Sequence, residues 1–148
     1  MSSQPTDERA IETAVGPYRG EKPRAEREEP YRELVGFVPP RIRARMAITG
    51  ALDPELFDMQ EEMRQHVMYS TCFDVKTTQL MLFAILLAQL TDAAQLHAIA
   101  ARRAGATWEE LQGVVSLCFL FRGLSAANRG AEILAHIASA ESSDNAGA

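Results

Sequence analysis

Cysteine is scarce in this chain: Cys72 and Cys118 are the only two, and they form no CxxC pair. Neither a disulfide framework nor a zinc site is therefore expected, and a reducing cytoplasmic compartment suits them. Aromatic residues make up only 7% of the sequence, with a single tryptophan, while alanine is abundant. That balance favours helix over sheet, and no apolar–polar alternation of period two interrupts it. Basic residues are outnumbered, 15 against 20 acidic ones, for a net charge of −5. With no basic face, nucleic acid is not an expected partner. Long hydrophobic runs are missing too. The longest, Leu80 to Ala88, is too short to span a bilayer, and the first residues lack the basic-then-apolar order of a signal peptide. A cytoplasmic protein without a membrane partner is expected.

What is present is 148 residues, 47% of them apolar, enough for one helical domain with its own core. Residues 1–30 stand apart. They crowd charged side chains around Pro5, Pro17, Pro23 and Pro30, with few large apolar groups. Such a stretch buries too little to offset its ordering entropy, so a mobile charged arm is expected; an arm packing on a neighbouring subunit is the alternative. The helical domain is expected over residues 31–141 and a loose tail over 142–148. Its first anchor is Leu34-Val-Gly-Phe37, stopped by Val38-Pro-Pro40. A short helix fits Arg41 to Thr49, with Gly50 as its C-terminal cap.

The next helix has a capping aspartate, Asp53, and Pro54 at its first position. Leu56, Met59, Met63, His66, Val67 and Ser70 follow three-and-four spacing, which predicts a buried stripe that includes His66. Asp74 opens a further helix whose segment from Leu80 to Ala88 is apolar on nearly every side, the pattern of a buried helix. Gln79 and Gln89 frame it as polar ends. Thr91 or Asp92 starts a third, alanine-rich helix carrying His97, and Gly105 is its expected left-handed cap. Thr107-Trp-Glu-Glu110 spells a capping box for a helix from Leu111 to Arg122. Ser125 opens the last helix, through Ile137. An all-α bundle of about five to six helices follows.

Asp74-x-Lys-Thr77, the buried run, His97, Ala104-Gly-Ala-Thr-Trp-Glu-Glu-Leu111 and Gly123-Leu-Ser-Ala-Ala-Asn128 together resemble the carboxymuconolactone decarboxylase family. The resemblance covers about residues 34 to 138. It implies an alkylhydroperoxidase D-like helical subunit that assembles into homo-trimers or homo-hexamers and works without a cofactor or metal. The peroxidase branch of that fold uses two cysteines three apart, followed by a histidine four residues later. Counting back from His97 gives Ala93 and Leu90, so no thiolate stands where peroxide chemistry needs one.

The decarboxylase branch, as the resemblance implies, removes carbon dioxide from a small unsaturated lactone acid. Such chemistry needs a donor or cation for the carboxylate or enolate, an acid to return a proton to carbon, and a dry pocket. His97 occupies the position of the family's histidine, and histidine is the side chain whose ordinary titration lies near neutrality, which makes it the first candidate for proton transfer. His66 is the second. Arg122, a cation ending an apolar helix, is the candidate for holding the carboxylate, with Tyr69 and Asn128 as further substrate-binding candidates. Each has a plainer role available: a helix-face histidine bonded to a carbonyl for His97, dipole compensation for Arg122, packing for His66 and Tyr69, and helix-start pairing for Asn128. The family's enzymes carry a tryptophan-rich segment where this chain has Gln65-His-Val-Met-Tyr-Ser-Thr-Cys72, and a histidine and a tyrosine at about Leu117 and Phe121. A less polar pocket is therefore expected, and a larger or flatter carboxylated ring compound as substrate. A cofactor-free isomerase or cyclase acting through an enol, or a non-catalytic ligand-binding oligomer, are the alternatives.

Overall fold

The computed structural model describes residues 6–147 of the chain. Those residues are helical, without strands, in eight helices: α1 (Glu8–Val15), α2 (Arg24–Val35), α3 (Pro40–Leu52), α4 (Pro54–Met68), α5 (Val75–Ala88), α6 (Ala93–Arg103), α7 (Trp108–Arg122) and α8 (Leu124–Ala146). The all-α class is as expected, with more helices than five or six. No helix among the described residues is long and apolar enough to cross a membrane. The chain divides into two compact units at Ser70–Thr71, whereas residues 31–141 were expected to form one domain.

The N-terminal unit is built on a small core of Tyr31, Met46 and Phe57, with Tyr18 and Ile42 against it. The Tyr18 and Phe57 rings meet edge to face, centroids 5.6 Å apart. The charged stretch expected to be mobile instead carries α1 and α2; its residues 1–5 lie outside the described part. Ion pairs account for the difference. Arg27, only 5% exposed, reaches Asp58 and Glu62 on α4, both at 2.8 Å, and Arg24 pairs with Glu8 and Glu28. Composition counts these charges as solvated, but the partners of Arg27 lie about thirty residues away on α4, which no local pattern reports.

Gly50 does not end α3. The helix runs on to Leu52, and Gly50 is a glycine for want of room instead: a Cβ there would stand 2.5 Å from the Tyr18 ring. Arg19 closes the helix by donating from its guanidinium to the Ala51 carbonyl at 2.7 Å. At α4, Asp53 caps through Leu56 N–H as expected, with Pro54 at the first position. The buried face is another one, however. Phe57 and Glu61 are buried while Leu56, Met59, Met63 and Val67 are exposed in the chain. Glu61 is inside because Tyr31 donates to it at 2.9 Å and Arg45 forms an ion pair with it, so its charge is paired.

The C-terminal unit holds the larger core. Phe83 and Leu87 of α5, Ala94, Ala98 and Ala101 of α6, Leu111 and Val115 of α7, and Ala126 and Ile133 of α8 are its centre. Asp74 caps α5 through Thr77 N–H at 2.7 Å, and Gly105 takes the left-handed backbone, φ +99°. The capping box of α7 is complete, with Glu110 N–H donating to Thr107 and Thr107 N–H to Glu110. Thr91 and Asp92 do not cap α6 through their side chains; Asp92 instead accepts from Arg129. The segment expected as a loose tail continues α8 to Ala146, fastened by Arg102 to Glu141 at 2.9 Å; residue 148 lies outside the described part. The two apolar-all-round helices are buried on one side only. Met81 and Ile85 of α5, and Leu117, Phe119, Leu120 and Phe121 of α7, are exposed in the single chain.

Candidate functional site

α5 and α6 pack on one another and bring together the two polar groups of an otherwise apolar core. Gln79 lies on the same face of α5 as the buried Phe83 and Leu87, four and eight residues on, and is itself fully buried. The turn N-terminal to it is fixed by the Asp74 cap. His97 sits on α6 between the buried Ala94, Ala98 and Ala101, and is half-buried. Its Nδ1 stands 2.7 Å from Gln79 Oε1. An amide oxygen only accepts, so Nδ1 carries a proton, and in the neutral ring Nε2 is the nitrogen with the lone pair. The other end of the same amide, Gln79 Nε2, is buried without a hydrogen-bond partner.

The histidine is thus positioned by a side chain, and the carbonyl partner of its plainer role is not the group at Nδ1. Gln79 was expected only as a polar end to the apolar run. The signal that marks it was available: one polar residue in register with Phe83 and Leu87 on a face that must be buried.

Arg122 is exposed at the last turn of α7, whose carbonyl end Gly123 N–H closes on Phe119 at 2.8 Å. It makes no ion pair among the described residues. Asn128 is exposed on α8. His66 and Tyr69 belong to the N-terminal unit, at the end of α4, and both are exposed rather than part of a buried stripe. One cleft of that unit, about 480 Å³ in volume, is lined by Arg19, Glu21, Glu55, Asp58 and Glu62 among others. Its carboxylates make it a poor receptor for an anion.

Around the entrance to α5, the chain's electrostatics are structural. Lys76 pairs with Glu110 at 3.0 Å. The Thr107 backbone amide, and then Lys76, hold the Glu110 carboxyl below its usual value. Asp74 is lowered likewise by Thr77, first through its side chain and then its amide. These carboxylates are therefore ionised caps and not acids in waiting. Burial pushes the Cys118 thiol up, Cys72 is exposed, and both are free. No group of three or more His, Cys, Asp or Glu side chains able to hold a metal forms among the described residues.

The model of a protein family described as the carboxymuconolactone decarboxylase family matches residues 54–140. Comparison with curated proteins and comparison with solved structures each found no match.

Proposed function

Since the chain belongs to the carboxymuconolactone decarboxylase family, we propose that it is a cofactor-independent carboxy-lyase acting by general acid–base catalysis on a small to medium carboxylated ring compound. A lactone or an aromatic, polyketide-type acid is the substrate class. The observation that carries this reading is the 2.7 Å contact between Gln79 Oε1 and His97 Nδ1, which engages Nδ1 and makes Nε2 the nitrogen proposed to exchange the proton.

In the reaction proposed, the bond from ring carbon to carboxylate breaks and carbon dioxide leaves. The electron pair passes into the substrate's conjugated carbonyl to give an enolate. Protonated at Nε2 for this step, His97 returns a proton to carbon. Arg122 is the group proposed to hold the carboxylate, since a guanidinium matches its two oxygens, with Asn128 and Tyr69 as further binding groups. His66 is the second acid–base candidate. The apolar surroundings of Gln79 and His97 strengthen every charge interaction formed there. Assembly as a homo-trimer or homo-hexamer in the cytoplasm belongs to the same proposal; the exposed apolar side chains of α5 and α7 supply surface for it.

A second reading keeps the same parts. A neutral amide beside an oriented imidazole is also sufficient for an isomerase or cyclase working through an enol, because Gln79 adds no charge to the site.

Incubation with a panel of unsaturated lactone acids and β-keto aromatic acids, followed by mass spectrometry, tests both. Loss of carbon dioxide is expected, lowered about 10²–10⁴-fold in His97→Ala and weakened in Arg122→Ala chiefly through substrate affinity. A product of unchanged mass supports the enol reading. Turnover that survives both substitutions overturns the mechanism.

A further inference from the structure

Gln79 has two jobs available to it and the folded chain employs one. Its Oε1 accepts from His97, while its Nε2, which carries two N–H donors, has none satisfied although Gln79 is 0% exposed. An amide donor buried without a partner costs about 1–3 kcal/mol, and such orphans in native proteins call for an explanation. A hydrophobic residue would fill the same register beside Phe83 and Leu87 at no such cost.

We infer that the Gln79 Nε2 amide is a ligand-binding donor that takes a carbonyl oxygen, so that the site selects compounds with a carbonyl next to the reacting carbon. The inference rests on placing the site at His97, as proposed above. One planar amide then does two things: it fixes the His97 tautomer with its oxygen and receives the ligand oxygen with its nitrogen. The two groups act on neighbouring atoms, the imidazole on carbon and the amide on the oxygen that gains charge as the enolate forms. A donor aimed at the atom where charge develops, in an apolar setting, favours that charge more than water does. Gln79 is a binding and positioning residue in this scheme. Entry runs past His97, which keeps partial exposure, and requires side-chain movement.

The test uses two stable acids that differ only in a ketone oxygen, ketopinate and its deoxo analogue apocamphane-1-carboxylate, titrated into isotopically labelled full-length protein. The ketone of ketopinate is next to the carboxyl-bearing carbon, and its bridgehead forbids the enol needed to lose carbon dioxide. In the unliganded protein, the nitrogen spectrum of His97 is expected to show the proton on Nδ1. The keto acid is expected to move the Gln79 side-chain amide protons and to bind about tenfold more tightly than its partner, the worth of one good hydrogen bond. Gln79→Leu abolishes that preference and releases the tautomer. Gln79→Glu, close in shape but with an acceptor in place of the donor, abolishes it as well, which keeps the test informative if the leucine variant does not fold. Gln79 amide protons unmoved by either acid overturn the inference, as does a keto preference that survives both substitutions. Failure of the two proposals is separable. Carbon dioxide release with an unresponsive Gln79 removes only this inference; a responsive Gln79 without carbon dioxide release or any other turnover removes the carboxy-lyase reading and leaves the donor in place.

Discussion

Gly130 of α8 lies so close to Val115 of α7 that a Cβ on the glycine would stand 2.6 Å from Val115 Cγ2. Both residues are buried, and the contact fixes how near these two helices run. Gly130→Ala must push Val115 aside within the packed core, a loss of about 1–3 kcal/mol. Gly113, on α7 itself, has nothing within 4 Å of its would-be Cβ, and Gly113→Ala should stabilise by about 0.5–1 kcal/mol. Denaturant midpoints of the two variants are expected to move in opposite directions; equal shifts would disprove the close approach.

Tyr31 should govern the alkaline limb of stability. Burial, ahead of the smaller influence of neighbouring charges, pushes its phenol up to about 12 from an ordinary value of 10.0. A group with a raised folded value contributes stability that is complete below the unfolded value and is lost as pH rises through the folded one. The loss therefore falls between about pH 10 and 12. Tyr31→Phe should flatten that limb. At neutral pH it should cost about 1–3 kcal/mol, since the buried Glu61 loses a donor. Chemical denaturation across alkaline pH measures both.

The start of α7 predicts the acid limb. Glu110 has its carboxyl lowered by the Thr107 amide and then by Lys76, so its contribution is present above the ordinary glutamate value and is lost as pH falls through the lowered one. Glu110→Gln should make stability less steep in that acidic range. Thr107→Ala removes the other half of the capping box, at about 1 kcal/mol, and should do so at neutral pH as well. A thermal melt of Thr107→Ala indistinguishable from wild type would count against the cap.

Assembly is predicted to depend on the C-terminal end of α7. Phe121 is 92% exposed in the single chain, beside Leu120 at 68% and Leu124 at 70%, an apolar surface of the kind that a second copy covers. Light scattering should show an oligomer for the wild-type protein and a smaller species for Phe121→Glu, with helical content unchanged. A wild-type monomer at high concentration would remove the oligomer from the proposal.

The C-terminal unit was legible in the sequence because its signals are local. Asp74, Gly105 and the Thr107–Glu110 box each act within one turn of their own helix, and each performs as its type predicts. The N-terminal unit was not, because what holds it is distant in sequence. Arg27 with Asp58 and Glu62, and Tyr31 with Glu61, join residues some thirty apart, and composition counts such charges only as polar. α4 shows the same limit from the other side. Its apolar spacing correctly marked a helix, yet partners on α2 and α3 chose Phe57 and Glu61 as the inward face. At the site, His97 could be singled out from its position in the chain, and Gln79 from its register with Phe83 and Leu87 on a face that must be buried. That the two meet follows only once α5 and α6 are set side by side.

Glu61 carries a consequence for how this chain can be divided. The family's region begins at residue 54, so it keeps α4 while leaving out Tyr31 and Arg45, the two side chains that answer Glu61. A fragment cut at that boundary would present an unanswered carboxylate and a bare Phe57 to water. The segment ahead of the family region therefore folds as one piece with α4: Tyr31 and Arg45 supply the only hydrogen bonds to the Glu61 carboxylate among the described residues, and removing them would leave a buried carboxylate without its partners.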